Sequence, residues 1–312
     1  MRSFHKVVIA LGTAVLLAGA SGKLVSAQKY SSWSPPVNLG PAINSPFLDG
    51  NPAISKDGLT LYFASNRPGG VGGNDIWVAH RDSLDTPWSN APLNLGSINT
   101  IFNEVAPALS RDEHYLFFVS NRPAGAGGPD IWVSFRQQVH DDFGEFAWET
   151  PFNLASPINT PFSDTTPSYF ENEELGRPQL FFASNRTAGF GGLDMYMSEL
   201  QADGTFGPAT LVPELSGAQS DSYPSVFRNG LEIFFASDRI GTLGGNDLWV
   251  SVRQNVFDLW SAPVDLGPTV NSVSNDQAPA ISSDGKALFF ASDRPGGYGG
   301  NDIYVTTRTK VQ

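Results

Sequence analysis

The sequence predicts an all-β chain folded as a five-bladed β-propeller. Each blade is a four-stranded antiparallel sheet, and an N-terminal strand pairs with the last blade to close the ring. Three observations carry this. One string recurs five times along the 312 residues. Each copy divides into short segments rich in β-branched and aromatic residues, separated by Gly, Pro, Asn and Asp. The order of those segments leaves the chain starting with the piece that its end lacks.

The recurring strings are SNRPGGVGGNDIWV (65–78), SNRPAGAGGPDIWV (120–133), SNRTAGFGGLDMYM (184–197), SDRIGTLGGNDLWV (237–250) and SDRPGGYGGNDIYV (292–305). Their arginines, Arg67, Arg122, Arg186, Arg239 and Arg294, are spaced by 55, 64, 53 and 55 residues. A PAIS-like segment precedes each string, starting at Pro52, Pro107, Pro167, Pro224 and Pro279. Between the two lies a hairpin turn, signalled most clearly by Asp57-Gly58, Asn229-Gly230 and Asp284-Gly285. Upstream stands a W-S-x-P-x-N-L pattern, as in Trp33 to Leu39, Trp88 to Leu95 and Trp260 to Leu266. The third copy reads Trp148-Glu149-Thr150-Pro151, and the fourth substitutes Phe206-Gly207-Pro208.

Each repeat therefore supplies strands A (PAIS), B (LYFAS), C (DIWV) and D (W-S-x-P-x-N-L). The repeats run over about 33–81, 88–136, 148–200, 206–253 and 260–308. A single blade cannot bury both of its faces, but neighbouring blades can cover one another. The chain opens on a D strand near Trp33 and closes on a C strand at Asp302 to Thr306, so pairing of the two removes the open junction.

These strings resemble the TolB-type, WD40-like propeller repeat, with its Pro-x-x-S-x-D-G-x-x-[LI]-x-F-x-S-[ND]-R core. The resemblance covers about residues 33–307. The family implies a periplasmic or secreted bacterial propeller. It includes binding platforms as well as enzymes, so it names no activity. Eukaryotic WD repeats carry Gly-His and Trp-Asp dipeptides, whereas this chain has Asp-[IL]-[WY].

Residues 1–27 read as a signal peptide: Arg2 and Lys6, an apolar run from Val7 to Ala20, then Val25-Ser26-Ala27 before the expected cleavage. Residues 28–312 form one propeller domain, expected to be a monomer in the periplasm or outside the cell. That domain has no membrane-spanning stretch. The chain has no Cys, so disulfides play no part. A net charge of -12 argues against nucleic acid as partner and leaves a protein or glycan ligand.

With strand A innermost, the D–A and B–C loops share a top face. Asp49, Glu104, Asp164, Asp221 and Asp276 recur three positions before the Pro of strand A, and are expected as a ring at the channel mouth. Two such charges ~8 Å apart repel by ~2 kcal/mol at an effective dielectric of ~20. The ring therefore needs the five repeat arginines as partners, or a bound cation such as Ca2+ or a basic ligand group. No cofactor is required. Asp75, Asp130, Asp194, Asp247 and Asp302 are expected to accept N–H bonds from their Gly-rich loops. The paired glycines, such as Gly72-Gly73 and Gly244-Gly245, are expected to supply positive φ. They are not a phosphate loop, because no Lys-Ser/Thr follows. Aromatics on the loops, Phe102, Phe162, Phe190 and Tyr298, could stack on a ligand.

Candidates for catalysis are few. His80, His114 and His140 occupy different repeat positions without metal-ligand spacing, and there is no G-x-S-x-G elbow. The irregular insertions, Gln137 to Phe146 and Glu171 to Arg177, map away from the top face. The expected function is an exported binding module using its top face. The alternatives are a glycosidase-like enzyme using rim carboxylates and a multivalent lectin.

Overall fold

The computed structural model describes residues 30–89, 91–137 and 148–311. Residues 1–27, expected as a signal peptide, His140 and nearly all of the Gln137 to Phe146 insertion lie outside them. The strands form five four-stranded antiparallel sheets. Blade 1 holds β2 (Asp49–Ile54), β3 (Thr60–Ser65), β4 (Asp75–His80) and β5 (Leu93–Asn94). Blade 2 holds β6 (Glu104–Leu109), β7 (Tyr115–Ser120), β8 (Asp130–Phe135) and β9 (Phe152–Asn153). Blade 3 holds β10 (Asp164–Phe170), β11 (Gln179–Ser184), β12 (Asp194–Glu199) and β13 (Thr210–Leu211). Blade 4 holds β14 (Asp221–Val226), β15 (Glu232–Ser237), β16 (Asp247–Val252) and β17 (Val264–Asp265). Blade 5 holds β18 (Asp276–Ile281), β19 (Ala287–Ser292), β20 (Asp302–Thr307) and, from the start of the chain, β1 (Val37–Asn38). The closing ladder pairs Val37 with Val305 and Asn38 with Tyr304. Among the described residues no helix is long and apolar enough to cross a membrane.

Strand alternation assembles the core. In β3, Leu61 and Phe63 point towards blade 5, while Tyr62 points towards blade 2. A strand covered on both faces must be apolar throughout, which is why the LYFAS segments read as continuous hydrophobic runs. Each of five hydrophobic clusters lies between two neighbouring blades. Full burial of one such Phe is worth about 1.5–3 kcal/mol.

A second set of arginines binds the outer part of the blades. Arg81, Arg136, Arg253 and Arg308 lie 4.5, 4.5, 4.2 and 4.5 Å over the rings of Trp88, Trp148, Trp260 and Trp33. Their Nε groups donate to the carbonyls of Gly58, Glu113, Gly230 and Gly285 in the A–B turns. Blade 3 has lost both partners together: Phe206 replaces the Trp, and no Arg stands after β12.

The B–C loop of each blade lies against the D–A loop of the next. The backbone N–H of Asp49, Glu104, Asp164, Asp221 and Asp276 donates across this seam to Asn301, Asn74, Pro129, Leu193 and Asn246. The seam also revises the expected role of the paired glycines, none of which has positive φ. A Cβ on Gly72, Gly127, Gly191, Gly244 or Gly299 would lie 2.2, 2.5, 2.1, 2.1 or 1.9 Å from a carbonyl oxygen of the neighbouring D–A loop. These glycines permit close approach of two backbones. Positive φ is needed instead in the A–B turns, as at Gly58 and Gly285.

Candidate functional site

The five acids begin the innermost strands, but their carboxylates are fully buried and do not line the channel. The expected ring at an open mouth is therefore replaced by five enclosed ion pairs. Asp49–Arg67, Glu104–Arg122 and Asp164–Arg186 meet at 2.5, 3.0 and 2.6 Å, and Asp221–Arg239 and Asp276–Arg294 are also in direct contact. Each guanidinium lies between two rings of its own blade, as Arg186 does 5.2 Å from Phe182 and 4.7 Å from Tyr196. Its Nε donates to the Ser that ends strand B, and its Nη2 to a D–A loop carbonyl such as Ile98 O or Ile158 O. A buried charge with this many partners holds a loop in place. The acids also accept from a Ser or Thr four residues upstream, through both N–H and hydroxyl: Ser45, Thr100, Thr160 and Ser272. In blade 4 that position is Gly217, and Asp221 Oδ2 has no hydrogen-bond partner. Burial pushes the Asp221 carboxyl up, opposed by Ser237 and Arg239.

The Asp that opens strand C accepts backbone N–H bonds from its Gly-rich loop in every blade, as from Phe190 to Asp194 at 2.8 Å and from Tyr298 to Asp302 at 2.6 Å. In blades 1, 2 and 5 an Asn of strand D donates to it as well: Asn94 to Asp75, Asn153 to Asp130 and Asn38 to Asp302. Blade 4 carries Asp265 at that position. Two carboxyl groups thus meet, and burial together with Asp265 pushes Asp247 up to about 6. The exchange is visible when VNLG (37–40), LNLG (93–96) and VDLG (264–267) are aligned, but it stands out only once the strand D Asn is known to be a donor.

The channel itself is lined by the inner strands beyond the acids. A bulge interrupts each of them, and Asn51, Ala106, Thr166, Tyr223 and Ala278 adopt φ of 50–56° there. The following Pro lacks an N–H and tolerates the broken ladder. Tyr223 reaches across the channel to the Asn51 side chain, and burial raises its pKa. The channel cavity, about 150 Å3, is lined by no carboxylate. At its lower mouth stand Lys56, Arg111, Glu171 and Arg228, the residues four positions after the strand A prolines. This cationic set was not apparent from the repeat, because the position varies between blades.

The top face exposes apolar side chains at all five seams. Val71 and Ile101 flank the first, Phe162 the second, Phe190 the third, Leu243 and Val273 the fourth, and Tyr298 and Phe47 the fifth. Ile101 and Val273 are 76% and 83% exposed, so they serve no core. Phe102 is only half-buried, within the loop. His80 ends β4 with Nδ1 3.1 Å from Thr60 Oγ1, and His114 Nδ1 lies 2.7 Å from the Arg136 carbonyl. Among the described residues no three His, Asp or Glu side chains group as metal ligands.

No protein-family model matches the sequence, and no curated protein matches it. Solved structures of like fold do. The α-L-arabinofuranosidase from Lactobacillus brevis superposes with a TM-score of 0.60 at 14% identity, covering 88% of this chain and 94% of that one. A thermostable family-43 glycoside hydrolase gives 0.61 at 13% identity, with the same coverages of 88% and 94%. TolB from Acinetobacter baumannii gives 0.48 at 14% identity, over 82% of this chain and 54% of that one. Identities this low establish the five-bladed fold and nothing finer.

Proposed function

We propose that the protein is an exported, non-catalytic binding module that docks a protein partner on its top face. The carrying observation is the exposed apolar residue, or pair, at every seam of that face. Exposed apolar groups repeated around one face make it the candidate interaction surface. The aliphatic members, Val71, Ile101, Leu243 and Val273, suit a protein better than a sugar, which prefers aromatic platforms. The buried Asp–Arg pairs support the reading by holding the loops that present this surface. A Ca2+ ion at those acids would have to displace an Arg in each blade.

The test replaces Ile101, Leu243 and Val273 together with Ser. The expected outcome is an unchanged melting temperature, with loss of the partner that wild-type protein retains from cell-envelope extract. Retention of the same partner by the triple variant would sink the proposal.

A glycosidase reading is favoured only by likeness of fold to glycoside hydrolases, the Lactobacillus brevis arabinofuranosidase and the family-43 enzyme among them. It requires two carboxyl groups about 5–9.5 Å apart around a sugar. The channel lining offers none, and the carboxyl pair of Asp247 and Asp265 sits within blade 4. Release of sugar from an α-L-arabinofuranoside, abolished by Asp265→Asn, would establish that reading instead.

A further inference from the structure

The lower mouth of the channel reverses the charge of the rest of the molecule. The cavity there, about 140 Å3, is lined by Lys56, Arg111 and Arg228 against the single carboxylate of Glu171, in a chain of net charge -12. The three cations are exposed, and among the described residues none has an ion-pair partner. Of the acids in the same turns, Asp57, Asp112 and Asp284 each accept from the Ser two residues before, at 2.6, 2.6 and 2.7 Å, and Glu113 accepts from the Lys56 N–H at 2.8 Å; none of the four lines the cavity.

The inner edges of the strands add neutral donors. In blades 4 and 5 the N–H groups of Val226 and Ile281 are taken by the hydroxyls of Ser168 and Ser225 from the preceding blade. At the corresponding sites Ile54, Leu109 and Tyr169 face Ala280, Ala53 and Ala108, which have no hydroxyl to offer. The three residues lie on the wall shared by channel and mouth; Ile54 and Leu109 stand two positions before Lys56 and Arg111, and Tyr169 two before Glu171. Backbone N–H groups converging beside a guanidinium form a ready receptor for an oxyanion.

We propose that this mouth binds the carboxylate of an acidic sugar at the end of a glycan chain. Arg111 and Arg228 contact the carboxylate, and the Ile54, Leu109 and Tyr169 edge receives its remaining lone pairs. The wall sets the Ser283 hydroxyl beside the aliphatic side chains of Ile54, Leu109, Val226 and Ile281, a polar group and an apolar face for one ring, while the hydroxyls of Ser110 and Ser282 are spent on Asp112 and Asp284. Tyr169 is fixed for such a contact by stacking on Phe117 at 4.8 Å. The cavity has room for about one ring. A polyanion is disfavoured, because beyond a Debye length of about 8 Å it meets the field of an acidic protein. Glu171 accepts from the Arg111 N–H at 3.0 Å, and burial raises its carboxyl, opposed by Arg111. This site is separate from the top face and stands on its own observations.

The test is calorimetric titration of the full chain with a disaccharide ending in glucuronic acid. Its glucose-ended counterpart, inorganic phosphate and a peptide ending in Asp are the controls. The acidic disaccharide is expected to bind at least tenfold more tightly than each control. Arg111→Gln and Arg228→Gln should each weaken it several-fold at unchanged melting temperature, and Glu171→Gln should tighten it. Equal binding of the neutral disaccharide, equal binding of phosphate or peptide, or indifference to both Arg variants would overturn the proposal. If the sugar binds but the loss follows the top-face Ser variant, the mouth is not the site.

Discussion

Asp265 stands where blades 1, 2 and 5 place an Asn, and one atom decides the consequence. Asn94 Nδ2 donates to Asp75, whereas an Asp265 oxygen faces Asp247 as a second acceptor. Burial, and after it Asp265, makes Asp247 hold its proton more tightly in the folded than in the unfolded chain. Stability contributed by that proton is greatest in acid and is lost as pH rises from the usual carboxylate range, near ~4, through about 6. Asp265→Asn is expected to stabilise by about 1–2 kcal/mol at pH 7–8 and by much less at pH 4.5. Urea denaturation at the two pH values checks this, and an equal gain at both would refute it. Gly217 is a second local defect. Gly217→Ser should supply the hydroxyl that Ser45 and Ser272 give in other blades; a Cβ there would lie 3.5 Å from Asp221 Oδ2, in ordinary contact. The expected gain is about 0.5–1.5 kcal/mol, read as a rise in melting temperature.

At the scale of the element, the seams matter more than the blades. Gly244→Ala would drive a Cβ to 2.1 Å from the Ser274 carbonyl, and neither backbone can retreat without breaking the Asn246-to-Asp276 bond. The loss should be about 2 kcal/mol or more, with a broadened unfolding transition. A neutral outcome would mean that the seam is looser than its geometry. Strands A, B and C were readable because short β-branched and aromatic segments recur five times between Gly-, Pro-, Asn- and Asp-rich turns. Ring closure was readable because the D segment comes first. The inner bulges were not: Pro52 and its equivalents show that a ladder bond is missing, but not that the preceding residue turns to positive φ. The paired glycines were misread for a related reason. Glycine in a sequence does not tell whether it serves a torsion angle or the approach of a distant chain.

Across the whole molecule, charge is sorted by depth and by face. Five carboxylates that look like an exposed rim in sequence lie wholly inside, neutralised by arginines held between aromatic rings. An acid near a Gly-Pro-rich loop reads as solvated, and only the three-dimensional meeting of Arg67 with Asp49, Ile43 O and Ser65 shows otherwise. The pairing was legible as one of two compensations for the repeat acids; the burial was not. The cations at the lower mouth lay hidden because Lys56, Arg111, Glu171, Arg228 and Ser283 share a place in the fold without sharing a residue type.

The closing ladder has a mechanical consequence. Tyr30 bridges Lys310, and the bonds then run inward from Ser31 to Thr309 and Ser34 to Thr307, ending at the Val37–Val305 and Asn38–Tyr304 pairs. Both strands leave this ladder at the same end. A load applied through the two tails would peel it like a zipper, one bond at a time, and would never shear it along its length. The ring should therefore part at its latch under a small force while blades 1 to 4 carry no tension, and in an optical trap the first extension should match the release of that short segment alone.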